Sequence, residues 1–310
     1  MLAVRAVQGT KDGPAVAGDE AEVLFFQGDR PVKQIKTILD EQGLLLIDDL
    51  PVGLGLRPLV RIKHGGVFYQ NVGATLDANR PKGSMDVTVY EVTDNAPPWT
   101  IVMRHIVATR AHDGLDVSEM VVVNNPTDRT WLGAPPAPDG RRTTVTVALP
   151  ASAADVQLER GFHGWCCTAF DRPVLAVQMP FMPGEYSYRF AYHVPLHEGA
   201  ADLRVSAPAT TQRAAIFVPD AGERAEPANV NDGGIATDGD LKAHMFTADA
   251  VPASTPFGVS LSGFVTAATA PAASTAPVST GSSAAFWVLG SLVAVLLFFV
   301  VVKVFQRSTA

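Results

Sequence analysis

Residues 284–302 form a run without a charged side chain, AAFWVLGSLVAVLLFFVVV, closed by Lys303 and Arg307 near the end of the chain. At about 1.5 Å rise per residue, a helix over this run crosses a hydrocarbon core of about 30 Å with little tilt. Phe286 and Trp287 then fall at one membrane interface, and Lys303 and Arg307 at the other. The competing reading is a buried core helix. It has no domain to be buried in, because an uncharged polar linker precedes the run and only a short tail, residues 303–310, follows it. The chain is therefore expected to be a single-pass membrane protein with the lipid bilayer as one partner.

Orientation follows from flanking charge. Residues 250–285 carry no charge, so the positive-inside rule leaves the basic tail in the cytoplasm and the body outside. Residues 1–10 lack the apolar core and cleavage site of a secretory signal, which is the pattern of tail anchoring and would leave the body in the cytosol. The composition of residues 264–283, nearly all Ala, Thr, Ser, Pro and Gly, reads as an exposed stalk and favours the extracytoplasmic placement. That placement implies a start further upstream.

Of 24 basic residues, Lys303 and Arg307 are the two that follow Asp249, which leaves the body with 22 basic against 31 acidic residues and a net charge of −9. Such a body does not bind nucleic acid through counterion release. Its acidity is accounted for by solubility.

The body reads as all-β. Tyr186, Tyr188, Phe190, Tyr192 and Val194 alternate with Ser187, Arg189, Ala191 and His193, the period of a half-buried strand. Leu115, Val117, Val121 and Val123 repeat the pattern with Glu119 interrupting it, as do Val145, Val147 and Leu149, and Val87 and Val89 near Met85. Turn clusters such as His64-Gly65-Gly66 and Asn124-Asn125-Pro126 separate these runs. The spacing predicts two tandem β-sandwiches, residues 1–94 and 99–263, divided at Asn95-Ala96-Pro97-Pro98, and the alternation of the second resembles immunoglobulin-like (Ig-like) ectodomains. Within the second, residues 220–240 are rich in Gly, Asp, Asn and Glu and are expected to form a long loop. A disordered stalk at 264–283 and the transmembrane helix at 284–302 complete the organisation.

The first unit also carries ordered motifs: Asp12-Gly13-Pro14-Ala15-Val16-Ala17-Gly18-Asp19, Ala21-Glu22-Val23-Leu24-Phe25, Asp40-Glu41-Gln42-Gly43-Leu44-Leu45, Leu50-Pro51-Val52-Gly53 and Leu59-Val60-Arg61-Ile62. This series resembles the carboxypeptidase-regulatory-like, transthyretin-like family. The resemblance covers about a third of the chain and implies a small Greek-key sandwich with no catalytic role, a spacer or a binding unit. Physical reasons for the motif positions stand without it: Gly43 lets the chain reverse, and Pro51 with Gly53 forces a second turn. Related collagen-adhesin B-type repeats hold a Lys-to-Asn isopeptide bond promoted by a buried acid. Lys33, Asn71 and Glu22 are the residues that resemblance would cast in those roles, against the simpler reading of surface Lys and turn Asn.

His163 and Trp165-Cys166-Cys167 are the one unusual chemical cluster. Strand geometry points neighbouring side chains to opposite faces and a vicinal disulfide ring is strained, so one thiol is expected to face the core and the other not; an oxidising compartment allows a vicinal or intermolecular disulfide, and the cytosol two free thiols. Cys166, Cys167 and His163 are also a candidate soft-metal site, lacking the second spaced Cys pair of a structural zinc site. The other histidines show no H-E-x-x-H spacing, and no Gly-x-Ser-x-Gly is present. No cofactor site other than that candidate emerges. The sequence thus points to a membrane-anchored, non-enzymatic ectodomain that binds a protein, peptide or glycan at the cell envelope. An accessory subunit using Cys166 and Cys167 for metal or redox work is the competing class, and a hydrolase ranks last.

Overall fold

A computed structural model describes residues 1–51, 55–238 and 241–264 of the chain, with side chains 238 and 241 excepted. The stalk, the apolar run with Phe286 and Trp287, the tail with Lys303 and Arg307, and Gly53 of the expected second turn lie outside the described residues. Among the described residues no helix is long and apolar enough to cross a membrane, and all regular structure is strand. The chain is all-β.

The first seven strands are β1 (Leu2–Gln8), β2 (Glu20–Gln27), β3 (Arg30–Ile38), β4 (Leu44–Ile47), β5 (Arg57–His64), β6 (Val67–Val72) and β7 (Gly83–Val89). They form two sheets, β4-β1-β7 and β3-β2-β5-β6, with β1 and β7 parallel. Alternation decides which face goes inward: Leu2, Val4 and Ala6 on β1, Val23 and Phe25 on β2, and Val60 and Ile62 on β5 are buried in one core. Each of the Leu, Val, Ile and Phe side chains among them contributes about 1.5–3 kcal/mol on burial. The β5–β6 hairpin turns through Gly65 and Gly66, both at positive φ, the conformation that a two-residue turn between twisted strands demands. Gly43, at φ 73°, makes the expected reversal between β3 and β4.

After β8 (Val92–Thr93) come β9 (Thr100–Arg110), β10 (Gly114–Asn125), β11 (Thr130–Trp131), β12 (Val145–Ala148), β13 (Ala154–Arg160), β14 (Thr168–Asp171), β15 (Val174–Val177) and β16 (Gly184–Pro195). The remaining strands are β17 (Ala200–Asp202), β18 (Val205–Ser206), β19 (Thr211–Pro219), β20 (Arg224–Ala228), β21 (Asn231–Asp238), β22 (Leu241–Val251) and β23 (Pro256–Ser262). A seven-stranded sheet runs β13-β16-β10-β9-β19-β22-β21. Its inner face presents Val117, Val121, Ile106, Phe190, Ile216 and Phe246. Val147 and Leu175 from the sheet β12-β15-β14, and Phe257, Val259 and Leu261 from β23 with its partners β17, β18 and β20, complete that core.

The segment 220–240 corrects the sequence reading. It is not a long loop: β20 pairs with β23, and β21 pairs with β22 at the edge of the large sheet, with a bulge between Asp232 and Gly234. Edge strands draw their stability from backbone pairing and can keep polar side chains on both faces, so hydrophobic alternation is absent there.

The two cores are fastened chiefly through the turn between β10 and β11. β8 pairs in parallel with β11. The Thr10 hydroxyl donates to the Asp128 carbonyl at 2.6 Å, the Lys11 amide donates to the Asp128 carboxylate at 2.7 Å, and the Tyr69 and Thr130 hydroxyls meet at 2.7 Å. The Trp131 indole N–H donates to the Asp94 carbonyl.

Candidate metal centre

The loop at residues 161–167, between β13 and β14, is shaped by two glycines and one aromatic wedge. Gly161 has φ 86° and passes so close to the Ser187 carbonyl of β16 that a Cβ would collide with it. Phe162 then packs on the aromatic strand, its ring centroid 5.0 Å from Tyr188 and 6.1 Å from Phe190. Gly164, at φ 102°, opens a turn closed by the Cys167 amide donating to the Gly164 carbonyl at 3.1 Å. On the far side the Gln178 amide donates to the Cys167 carbonyl at 2.9 Å, and the Gln178 side chain accepts from Arg141.

This turn corrects the expectation that the two thiols point apart. Cys166 and Cys167 are not on a strand, and their sulfurs lie 3.0 Å from each other. Both are free thiols. His163 Nδ1 is 3.8 Å from Cys166 Sγ and 3.9 Å from Cys167 Sγ, so all three donor atoms fall within one small triangle. His163 and Cys166 are exposed and Cys167 is half-buried. Shared hydrogen bonding with Cys166 and some burial push the Cys167 thiol above its ordinary value, while Arg141 pulls the other way.

The isopeptide triad is not assembled. Lys33 is on β3 and Asn71 on β6, the two outer strands of the sheet β3-β2-β5-β6, so two strands separate them. Both are exposed. The Asn71 amide donates to the Asp86 carbonyl, and Glu22 is engaged by Gln34, Lys36 and Arg61.

Other ionisable groups form structural ties that spacing did not reveal. His64 bridges Asp19, at 2.7 Å from Nδ1, and Glu91, at 2.9 Å from Nε2. Its partners lie 45 and 27 residues away and meet it only through the folded sheets. His193 Nδ1 lies 2.9 Å from Asp116, and His244 Nε2 lies 2.7 Å from Asp232. Among the described residues no hydroxyl or thiol is hydrogen-bonded to any of these three histidines. Arg104 and Glu119 form a fully buried ion pair.

No protein-family model matches the sequence, and no curated protein matches it. Among solved structures, the chain is similar to aminopeptidase A of Legionella pneumophila in complex with aspartic acid, with TM-score 0.30 and 9% identity. That similarity covers 54% of this chain and 21% of the aminopeptidase chain, so it spans about a fifth of that enzyme.

Proposed function

We propose that the chain is a single-pass membrane protein whose body, two β-sandwiches in tandem, stands on an Ala/Ser/Thr/Pro stalk as a non-enzymatic binding or scaffolding ectodomain at the cell envelope. The uncharged run 284–302, closed by Lys303 and Arg307, carries this reading. Its spacing from the body supports it: the last described residue, Phe264, still packs in the second core, and the polar stalk composition begins directly after it. The fastening of the two units through Asp128, Thr130 and β8–β11 supports a rigid platform rather than a hinged one. In the first unit, two sheets closed on one core support the carboxypeptidase-regulatory-like reading. The partner it would hold is a protein, a peptide or a glycan.

Topology tests the proposal. Ala137, small and exposed in the turn before Asp139-Gly140, is changed to Cys in a Cys166→Ser/Cys167→Ser background. Intact cells, with any outer membrane selectively permeabilised, are then treated with a membrane-impermeant maleimide. Labelling is the expected result. Protection that persists until the inner membrane is lysed would place the body in the cytosol and overturn the ectodomain reading.

A further inference from the structure

The turn at 163–167 brings together one imidazole nitrogen and two sulfurs, with no carboxylate in the group. We propose that His163, Cys166 and Cys167 form a three-coordinate site for a soft monovalent cation, Cu(I), on the surface of the second unit. The inference stands on the loop alone and holds on whichever side of the membrane the body lies.

Donor geometry is the first argument. The three atoms form a triangle with sides of 3.0, 3.8 and 3.9 Å. The point in its plane equidistant from all three lies about 2.1 Å from each, inside the roughly 2.0–2.3 Å that thiolate and imidazole ligands keep from a d10 ion. An ion entering there at about 2.3 Å from each sulfur parts the two sulfurs from 3.0 Å to roughly 3.8 Å. Rotation about their Cα–Cβ bonds supplies that, since Cys166 is exposed and Cys167 half-buried. The backbone need not move, because Gly161, Phe162 and the Gln178–Cys167 hydrogen bond already hold the turn in place.

Donor number and softness select the ion. Structural zinc sites close with four ligands, whereas the loop offers three, two of them sulfur, and thiolate ligands favour Cu(I). Charge acts in the same direction. Two thiolates around Cu(I) leave the centre with one net negative charge, and Arg141, whose guanidinium is held by Gln178 and shared with Asp139 at 3.7 Å, offsets part of it. A divalent ion would make the centre neutral and would gain nothing from that guanidinium. Binding exchanges two thiol protons, released to solvent, for one cation, and no electron is transferred.

The test uses the full chain in detergent micelles, reduced and kept anaerobic, titrated with Cu(I) buffered by bicinchoninate. One equivalent is expected to pass from the chelator to the chain, with a fall in emission from Trp165, which neighbours Cys166 and is 50% exposed. Cys166→Ser/Cys167→Ser is expected to withdraw none, and so is wild-type chain whose thiols have been alkylated with iodoacetamide, a route that needs no substitution. His163→Gln is expected to weaken binding by at least the roughly 10–100-fold that loss of even an outer-shell partner costs. Near-UV circular dichroism checks that each variant is folded. Equal Cu(I) uptake by the wild type and the alkylated chain, unchanged affinity in His163→Gln, or displacement of Cu(I) by equimolar Zn(II) would overturn the site.

Discussion

The Arg104 guanidinium and the Glu119 carboxylate, neither with any exposed side-chain surface, meet 2.7 Å apart as diagonal neighbours on β9 and β10 in the inner face of the seven-stranded sheet. Arg104 also donates to the Ala148 carbonyl at 2.6 Å and lies over the Phe257 ring, and the Tyr192 hydroxyl donates to the second Glu119 oxygen at 3.0 Å. The pair therefore ties the large sheet to β12 and β23 across the core.

Removing one partner strands the other charge in the interior. Arg104→Met is expected to destabilise the second unit by about 3–5 kcal/mol, the usual cost of breaking a buried pair. The double substitution Arg104→Met/Glu119→Leu restores an apolar contact and is expected to cost clearly less than the two single changes added together. Urea unfolding followed by near-UV circular dichroism measures all three. Strict additivity would show that the two side chains do not act as a pair.

His105 sets a pH dependence of one sign. It sits on the outer face of β9, 6% exposed, with no hydrogen-bond partner on Nδ1. Burial, helped by the positive charge of Arg213, pulls it from the ordinary 6.5 down to about 4. The folded chain keeps this imidazole neutral, while the unfolded chain takes up a proton near 6.5. Its contribution to stability is thus complete above 6.5 and is lost as pH falls towards 4. At 1.36 kcal/mol per unit the loss amounts to about 3 kcal/mol. His105→Phe should flatten the fall in urea midpoint of the second unit between pH 6.5 and 4, and an unchanged slope would rule the residue out as its source.

His64 sets the opposite sign in the first unit. Burial pulls its imidazole down, but hydrogen bonds to Glu91 and Asp19 and their charges outweigh it, so His64 ends above its ordinary value. The same contact holds Glu91 below the usual carboxylate range. A raised base contributes fully below the unfolded value of about 6.5 and loses that contribution as pH rises through its folded value. The first unit is expected to weaken on the alkaline side, and His64→Gln to remove the effect. An NMR titration of the His64 ring that finds a midpoint below 6.5 would contradict this.

How legible these features are in the sequence depends on what makes each one. β10 and β16 are plain because one face of each is buried, and a buried face imposes period-two alternation on Val117, Val121, Phe190 and Tyr192. Glu119 looks like a break in that pattern but keeps to the inner face. Its reason for being there, Arg104, lies 15 residues earlier on the neighbouring strand. β20 and β21 carry no such signature because their pairing is made by backbone groups. His163, Cys166 and Cys167 are identifiable as a cluster, since all three fall within five residues. Their common direction is not, because it follows from backbone turns at Gly161 and Gly164, the first of them set by close approach to β16.

Gly161 is where that contact can be tested. A Cβ at this position would run into the Ser187 carbonyl, and a backbone oxygen within a sheet cannot rotate aside as a side chain can. Gly140 is the natural comparison: at φ 79° it is equally strained for an L-residue, yet a Cβ there meets nothing within 4 Å. Gly140→Ala should therefore cost only the conformational penalty, about 1–2 kcal/mol, and leave the thiol loop unchanged. Gly161→Ala adds a collision that can be relieved only by lifting the loop, which withdraws Phe162 from Tyr188 and Phe190 and separates the two sulfurs. Uptake of a monoarsenical, which binds tightly only when two thiols are close together, reads this directly. Uptake should fall in Gly161→Ala and match wild type in Gly140→Ala; equal uptake in both would mean that the thiol pair keeps its geometry without the close approach to β16.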